Sequence, residues 1–265
     1  MKAMIDYHVH SDVSGDCETD MLEMAAAASK IGIKDMCFTE HLDPDFPGGW
    51  DFSLDSDRFE AQIKKARAAF PRIRIAKGLE AGLGKETAAQ VLEYVSKHEF
   101  DYVIGSQHLV YGMDPFEDPV WGEYAQEQLY EQYLRETIEN VSGRLFFDAL
   151  GHLGYLAKAP QSGGRVLRYT DYRELIDTVL KILIQNGKGI EVNTSGIPRS
   201  GSPMPEAEII KRYFELGGSV ITVGSDAHRE ASVGRHIPET LELIKSAGFK
   251  YVCAFEKRKP KFLKI

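Results

Sequence analysis

The histidines and carboxylates of this chain are spaced for metal chemistry. His8-Val9-His10 sets two imidazoles two residues apart, the spacing at which strand side chains share one face and can bind one cation together. Asp226-Ala227-His228 repeats that spacing near the other end of the chain, with an oxygen donor in place of one nitrogen. Between the two pairs stand His41, Glu80, His108 and His152. Taken singly, each has an ordinary reading: His108 or His152 as a buried histidine bonded to a carbonyl, Glu80 as a loop acid. Taken together they do not, because histidines and acids converging without cations would form a costly polar cluster. Cys17, Cys37 and Cys253 are widely spaced and contain no CxxC pair, so they predict neither a disulfide framework nor a thiolate zinc site. A metal here must use nitrogen and oxygen ligands.

Convergence requires elements that bring distant residues to one place. Apolar runs at 4–8, 35–39, 73–78, 102–105, 146–150, 189–192, 220–223 and 251–255 predict strands, and helical patterns lie near 20–31, 57–69, 85–97, 123–141, 171–186, 205–216 and 238–247. Asp20 with Glu23 and Asp171 with Glu174 read as capping boxes; Gly32, Gly187 and Gly248 read as helix stops, and Pro238 as a helix start. Repeated βα units without a composition break imply an α/β fold with a parallel sheet, and at this length a closed or nearly closed barrel. Six of the eight histidines, His8, His10, His41, His108, His152 and His228, then fall at or just after C-terminal strand ends, joined there by Glu80 and Asp226. That face is where such barrels keep their active sites. His98 falls near a helix end and His236 near the start of the last helix, both away from the expected ligands. Glu40 should point to the opposite side of its strand from His41 and serve structure, whereas Asp6 is expected to orient a ligand histidine.

The chain has 265 residues, 43% of them apolar and 27% charged, enough for one globular domain with a sizeable core, or at most two. Its formal charge is −8, and five of the last nine residues (Lys257, Arg258, Lys259, Lys261, Lys264) are basic, so the preceding 256 residues carry −13. Such a balance disfavours nucleic acid as a partner, and bound cations are one reason to gather carboxylates. No apolar run is long enough for a membrane span or an export signal, so a soluble protein of the reducing cytoplasm is expected; the sequence leaves the oligomeric state open.

His8-Val-His10, Asp16, Thr39-Glu40-His41, Gly78-Leu-Glu80, Gly105-Ser-Gln-His108, Gly151-His152-Leu and Gly224-Ser-Asp226-Ala-His228 resemble, in order, the motifs of the PHP (polymerase and histidinol phosphatase) superfamily. Within it the chain is similar to the histidinol-phosphate phosphatases, through its length, the Asn193-Thr-Ser-Gly196 turn followed by Arg199, and the closing Phe255-Glu-Lys-Arg-Lys-Pro260 segment. The resemblance implies a distorted TIM-like (β/α)7 barrel, residues 1–265 forming a single PHP phosphoesterase domain. It further implies three divalent cations (Zn, Fe or Mn): one held by His8, His10, Glu80 and Asp226, a second by Glu80 as bridge with His108 and His152, and a third by Asp16, His41 and His228. Related phosphatases can carry histidine in place of Asp16, and an oxygen ligand there makes the third site more tolerant of manganese. The activity implied is hydrolysis of a small phosphate ester, L-histidinol phosphate, by a metal-held hydroxide; the alternative is another phosphomonoester or a small phosphodiester or nucleotide. Lys158 and Arg199 are the expected phosphate-binding residues, with Arg165 and Arg168 in reserve. Asp43, Trp50, Asp51 and Tyr111 are placed by position toward the substrate's cationic end, and no general acid is identified.

Overall fold

A computed structural model describes residues 4–116 and 118–265. Seven strands, β1 (Ile5–Val9), β2 (Asp35–Leu42), β3 (Arg74–Gly82), β4 (Tyr102–Ser106), β5 (Ala149–Leu150), β6 (Gly189–Asn193) and β7 (Ile221–Gly224), pair in sequence order and all in parallel. They read as near-continuous apolar runs because helices cover the sheet: Ile75, Val103, Ile104, Ile190, Val192, Ile221 and Val223 are all buried. The ends of the sheet approach each other. Val9 bridges Ala227, the His10 amide donates to the Ala227 carbonyl at 2.9 Å, and the Asp226 amide donates to the His8 carbonyl at 2.7 Å. The sheet is therefore a nearly closed barrel, and its seam lies where the two donor pairs sit.

The connecting helices are α1 (Met21–Ile31), α2 (Ser56–Ala69), α3 (Ala88–Lys97), α4 (Asp118–Glu123), α5 (Gln126–Val141), α6 (Arg173–Gln185), α7 (Ile197–Ser200), α8 (Ala207–Glu215) and α9 (Ile237–Ser246). Asp20 caps α1 by accepting from the Leu22 amide at 2.7 Å, a bond worth about 1 kcal/mol, and Gly32 ends that helix in the left-handed conformation. Asp171 does not play the expected part: Tyr172 occupies the cap of α6, without a side-chain bond, while the Asp171 carboxylate accepts from the Thr170 hydroxyl.

Two strand expectations are corrected. The 146–150 run forms a strand only at Ala149–Leu150, because side chains take the carbonyls of Phe146 and Phe147: Arg258 donates to the first and Lys188 to the second. The run at 251–255 forms β8 (Tyr251–Glu256), which pairs antiparallel with β9 (Lys259–Lys264) outside the barrel sheet. This hairpin packs against the N-terminal end of the barrel. The Phe255 ring lies 4.7 Å from that of Tyr102, Arg74 donates to the Phe255 carbonyl, and Arg258 pairs with Asp148. Much of the basic C-terminal charge is thus held at the end of the barrel away from the donor pairs. Among the described residues no helix is long and apolar enough to cross a membrane.

Candidate metal centre

Glu80, near the end of β3, is the hub of the site. One of its carboxylate oxygens, Oε2, lies 2.9 Å from His8 Nε2, 3.2 Å from His10 Nε2 and 3.5 Å from His41 Nδ1. The other, Oε1, lies 2.8 Å from His152 Nε2 and 3.1 Å from His108 Nε2, and accepts from Ser106 Oγ at 2.6 Å. Asp226 Oδ1 faces His8, His10 and His228 at 3.7, 3.5 and 3.6 Å. Asp16 Oδ2 lies 3.0 Å from His228 Nε2 and 3.4 Å from His41 Nε2.

All nine residues singled out as ligands are therefore brought together. Their donor atoms form three groups, each within 4.8 Å: His8, His10, Glu80 and Asp226; His41, Glu80 and His108; and His10, Asp16, His41 and His228. His152 joins through the Glu80 oxygen it shares with His108. The grouping is more interleaved than the sequence suggested, with His41 standing between the second and third groups and His10 between the first and third.

Carboxylates outside this set hold the rings in place. Glu191, in the middle of β6, lies 2.6 Å from His8 Nδ1 through one oxygen and accepts from the His152 amide at 2.9 Å through the other. Asp43 lies 2.7 Å from His108 Nδ1. Glu40 is fully buried and accepts from Ser11 and from Ser14, whose Oγ is 3.2 Å from His10 Nδ1; it shapes the turn under His10 from the other side of β2. Asp6 differs from expectation. It touches no imidazole, and instead accepts from the Ser225 amide and hydroxyl and from the Gly234 amide, tying down the loop after β7. Glycine is required at 224, where a Cβ would stand 2.3 Å from His8 Cβ and 2.8 Å from Glu191 Oε1.

The charges of this cluster oppose one another. Burial lowers His8, but Glu191, Glu80 and Asp226 outweigh it and raise His8 well above the usual imidazole range. Burial likewise lowers His108, but Glu80 and Asp43 lift it to about 10. In Glu80 and Asp226 burial favours the neutral acid, yet the surrounding histidines, and Lys158 beside Asp226, hold both well below the usual carboxylate range. Burial prevails in His41 and His152, which are lowered. Asp16 Oδ1, His41 Nδ1 and His152 Nδ1 are buried without a hydrogen-bond partner among the described residues. Buried orphan acceptors amid ionised carboxylates fit divalent cations, which satisfy both at once.

The cluster opens on a cavity of about 730 Å³. Lys158 lies on its wall, with Nζ 2.7 Å from Asp226 Oδ2. Arg199 does not line it: that residue is exposed on the single turn α7, and its neighbour Pro198 meets the cavity instead. The cavity's arginines are Arg229 and Arg235, which follow His228 and were not anticipated. Arg165 and Arg168 line a separate groove beside Glu127 and Tyr172. Of the residues placed toward a cationic substrate end, only Trp50 lines the cavity. The Asp43 carboxylate is committed to His108, Asp51 accepts from the Ser53 amide, and Tyr111 stacks on Tyr124. His98 rests on Tyr94, and His236 occupies the N-cap position of α9 without a side-chain capping bond; neither belongs to the donor groups. The sequence signal for Glu191 is a charged residue between Ile190 and Val192 in an otherwise apolar strand.

A parallel barrel that gathers this many nitrogen and oxygen donors at its C-terminal mouth, above a closed floor, defines a metal-dependent hydrolase. The chain belongs to the PHP domain family, whose model matches residues 6–195. It is 30% identical over 259 residues, 98% of this chain and 99% of the other, to a protein of Clostridium acetobutylicum named "Probable histidinol-phosphatase". It is 28% identical, over 95% of this chain and 94% of the other, to the histidinol-phosphatase of Lactococcus lactis. The fold superposes with a TM-score of 0.88 at 26% identity, over 98% of this chain and 100% of the other, on the crystal structure of histidinol phosphate phosphatase from Lactococcus lactis complexed with zinc, L-histidinol and phosphate.

Proposed function

We propose that this chain, acting as one domain over residues 1–265, is a metal-dependent phosphomonoesterase that hydrolyses L-histidinol phosphate to L-histidinol and phosphate. The observation that carries the reading is the nine-residue donor cluster opening on the cavity, in a fold that superposes along its whole length on a phosphatase holding zinc, L-histidinol and phosphate. Three cations would be held: by His8, His10, Glu80 and Asp226; by Glu80, His108 and His152; and by Asp16, His41 and His228. The donors are nitrogen and oxygen throughout, a set that suits zinc and also admits iron or manganese. Bound there, the cations supply Lewis acidity toward phosphoryl oxygens and lower the pKa of water. Reduced, buried cysteines accord with a cytoplasmic setting.

The chain's own residues supply position and charge. Lys158 sets an ammonium at the edge of the donor cluster, where it draws a phosphoryl oxygen toward Asp226 and the first cation group. Glu191 and Asp43 fix the tautomer and orientation of His8 and His108, so that the remaining ring nitrogen of each faces Glu80. The nucleophile in this reading is water; the Cys17 thiol, pushed up to about 11 by burial and bonded to the His228 carbonyl, is not activated to compete with it.

Steady-state kinetics test the substrate: kcat/KM for L-histidinol phosphate should exceed that for p-nitrophenyl phosphate and for sugar phosphates, and equality would sink the assignment. The orienting role of Glu191 is tested by Glu191→Gln. Zinc affinity, read by competition with a chromogenic chelator, should fall roughly 10- to 100-fold with the fold retained by circular dichroism. Native affinity in that variant would mean that Glu191 does not position His8.

A further inference from the structure

The wall of the cavity carries a hydroxyl that neither the donor cluster nor the fold uses. Two residues past His152, Gly154 adopts a φ of +105° and turns the chain, and a 3-10 turn follows over Tyr155–Lys158. Side chains three residues apart on such a turn eclipse, so Tyr155 and Lys158 share a face, and both line the cavity. Lys158 Nζ lies 5.9 Å from the centre of the Tyr155 ring while it bonds Asp226. The same ring lies 4.8 Å from His152 and 5.1 Å from His108, the two imidazoles that face Glu80 Oε1.

Other hydroxyls of the cavity are committed elsewhere. Thr194 donates to the Arg235 carbonyl at 2.7 Å, Ser195 to Asn193 Oδ1 at 2.7 Å, and Ser225 to the Asp6 carboxylate. The Tyr155 hydroxyl has no hydrogen-bond partner among the described residues. Burial, with the charges of Asp114, Asp226, Glu80 and Asp16 acting in the same direction, raises it well above the usual phenol range, so it stands as a donor that holds its proton. A phenylalanine would make the same ring contacts without setting a polar atom at the cluster.

Phosphomonoester hydrolysis dictates where a donor is needed. A P–O bond to the oxygen of water forms, the P–O bond to the ester oxygen breaks, and one proton of that water ends on the departing alcohol. The phosphoryl oxygens have the cation groups and Lys158, whereas the departing oxygen, on which negative charge grows, has no donor. A fixed hydrogen bond to an oxygen where charge develops acts mainly in the transition state.

We propose that Tyr155 is a catalytic residue whose hydroxyl donates a hydrogen bond to the departing ester oxygen, beside the phosphoryl group held toward Lys158. The inference rests on the phosphomonoesterase reading and not on L-histidinol phosphate as the substrate. Tyr155 keeps its own proton throughout. An alkyl ester, whose leaving oxygen is strongly basic, needs this bond most, and an ester of an acidic phenol needs it least.

The test compares zinc-loaded native protein with Tyr155→Phe on L-histidinol phosphate, phenyl phosphate and p-nitrophenyl phosphate. Phenylalanine keeps the ring against His108 and His152. In Y155F kcat/KM should fall roughly 100-fold on L-histidinol phosphate, by less on phenyl phosphate, and about threefold or less on p-nitrophenyl phosphate. Elemental analysis should return the native zinc content. An equal loss on all three esters would overturn the proposal, and so would unchanged turnover of L-histidinol phosphate or a loss of zinc, which would leave Tyr155 as packing for the ligand histidines. Should the native protein hydrolyse none of the three, the phosphatase reading falls and takes this proposal with it. Should it hydrolyse the aryl esters alone, the substrate assignment falls, and the graded loss between phenyl and p-nitrophenyl phosphate still decides the role of Tyr155.

Discussion

Replacing Glu80 by glutamine should abolish most activity, lowering kcat/KM about 1,000-fold or more, which corresponds to about 4 kcal/mol of transition-state stabilisation. The expectation follows from the use of both carboxylate oxygens. Oε2 faces His8 and His10 while Oε1 faces His108 and His152, so one side chain serves two donor groups. Glutamine keeps the volume and one acceptor oxygen, but its amide nitrogen cannot ligate a cation, and the negative charge that offsets the cations is lost. Two groups are damaged by one change. Elemental analysis of purified E80Q should therefore show at least one metal fewer per chain than the native protein, with the barrel intact by circular dichroism. A full metal complement together with kcat within tenfold of native would place Glu80 outside the cation set.

The sequence made the barrel legible because the apolar runs and helical patterns alternate regularly, and the cation cluster legible because its donors fall at one end of those runs. Strand alternation also separated two equally buried acids. Glu80 faces the cluster, while Glu40, next to His41 along the same strand, bonds Ser11 and Ser14 instead. What stayed hidden depends on contacts between distant segments. Asp6 was assigned to a histidine because it lies one pleat below His8, but its actual donors, Ser225 and Gly234, come from the far side of the barrel seam. Asp43 looked like a residue free in a loop, and only the approach of β2 to the end of β4 commits it to His108. Arg199 follows strand β6 as a phosphate-binding residue should, yet one turn of helix carries it past the cavity, which Arg229 and Arg235 enter instead. The β8–β9 hairpin was half visible. Its first strand was read, but no local pattern says that a last strand leaves the barrel to cover its base.

Cation uptake by the metal-free protein should strengthen steeply with pH, while the stability of the metal-free fold moves the other way. A cation needs neutral imidazole, and in the metal-free cluster His8 and His108 hold their protons at neutral pH, because the nearby carboxylates raise both and place His108 at about 10. Each proton displaced makes apparent affinity rise about tenfold per pH unit, as long as the pH stays below the raised pKa. His8 and His108 belong to different donor groups, so filling both should gain roughly a hundredfold per unit. Glu80 and Asp226 are held low and are already ionised, and His41 and His152 are lowered and already neutral, so none of these four adds to the slope above pH 7. For the metal-free fold the sign reverses. A histidine whose folded pKa is raised stabilises fully below its unfolded value of about 6.5, and that stabilisation is lost as the pH rises through the folded pKa. Between about pH 7 and 10 the melting temperature of chelator-treated protein should fall and the gap to zinc-loaded protein should widen. Zinc titrations at about pH 6, 7 and 8 in buffers of different ionisation enthalpy measure both the slope and the protons released. An affinity flat across that range, with no proton release, would mean that His8 and His108 are neutral before the cation arrives and that the carboxylates around them serve only to orient the rings.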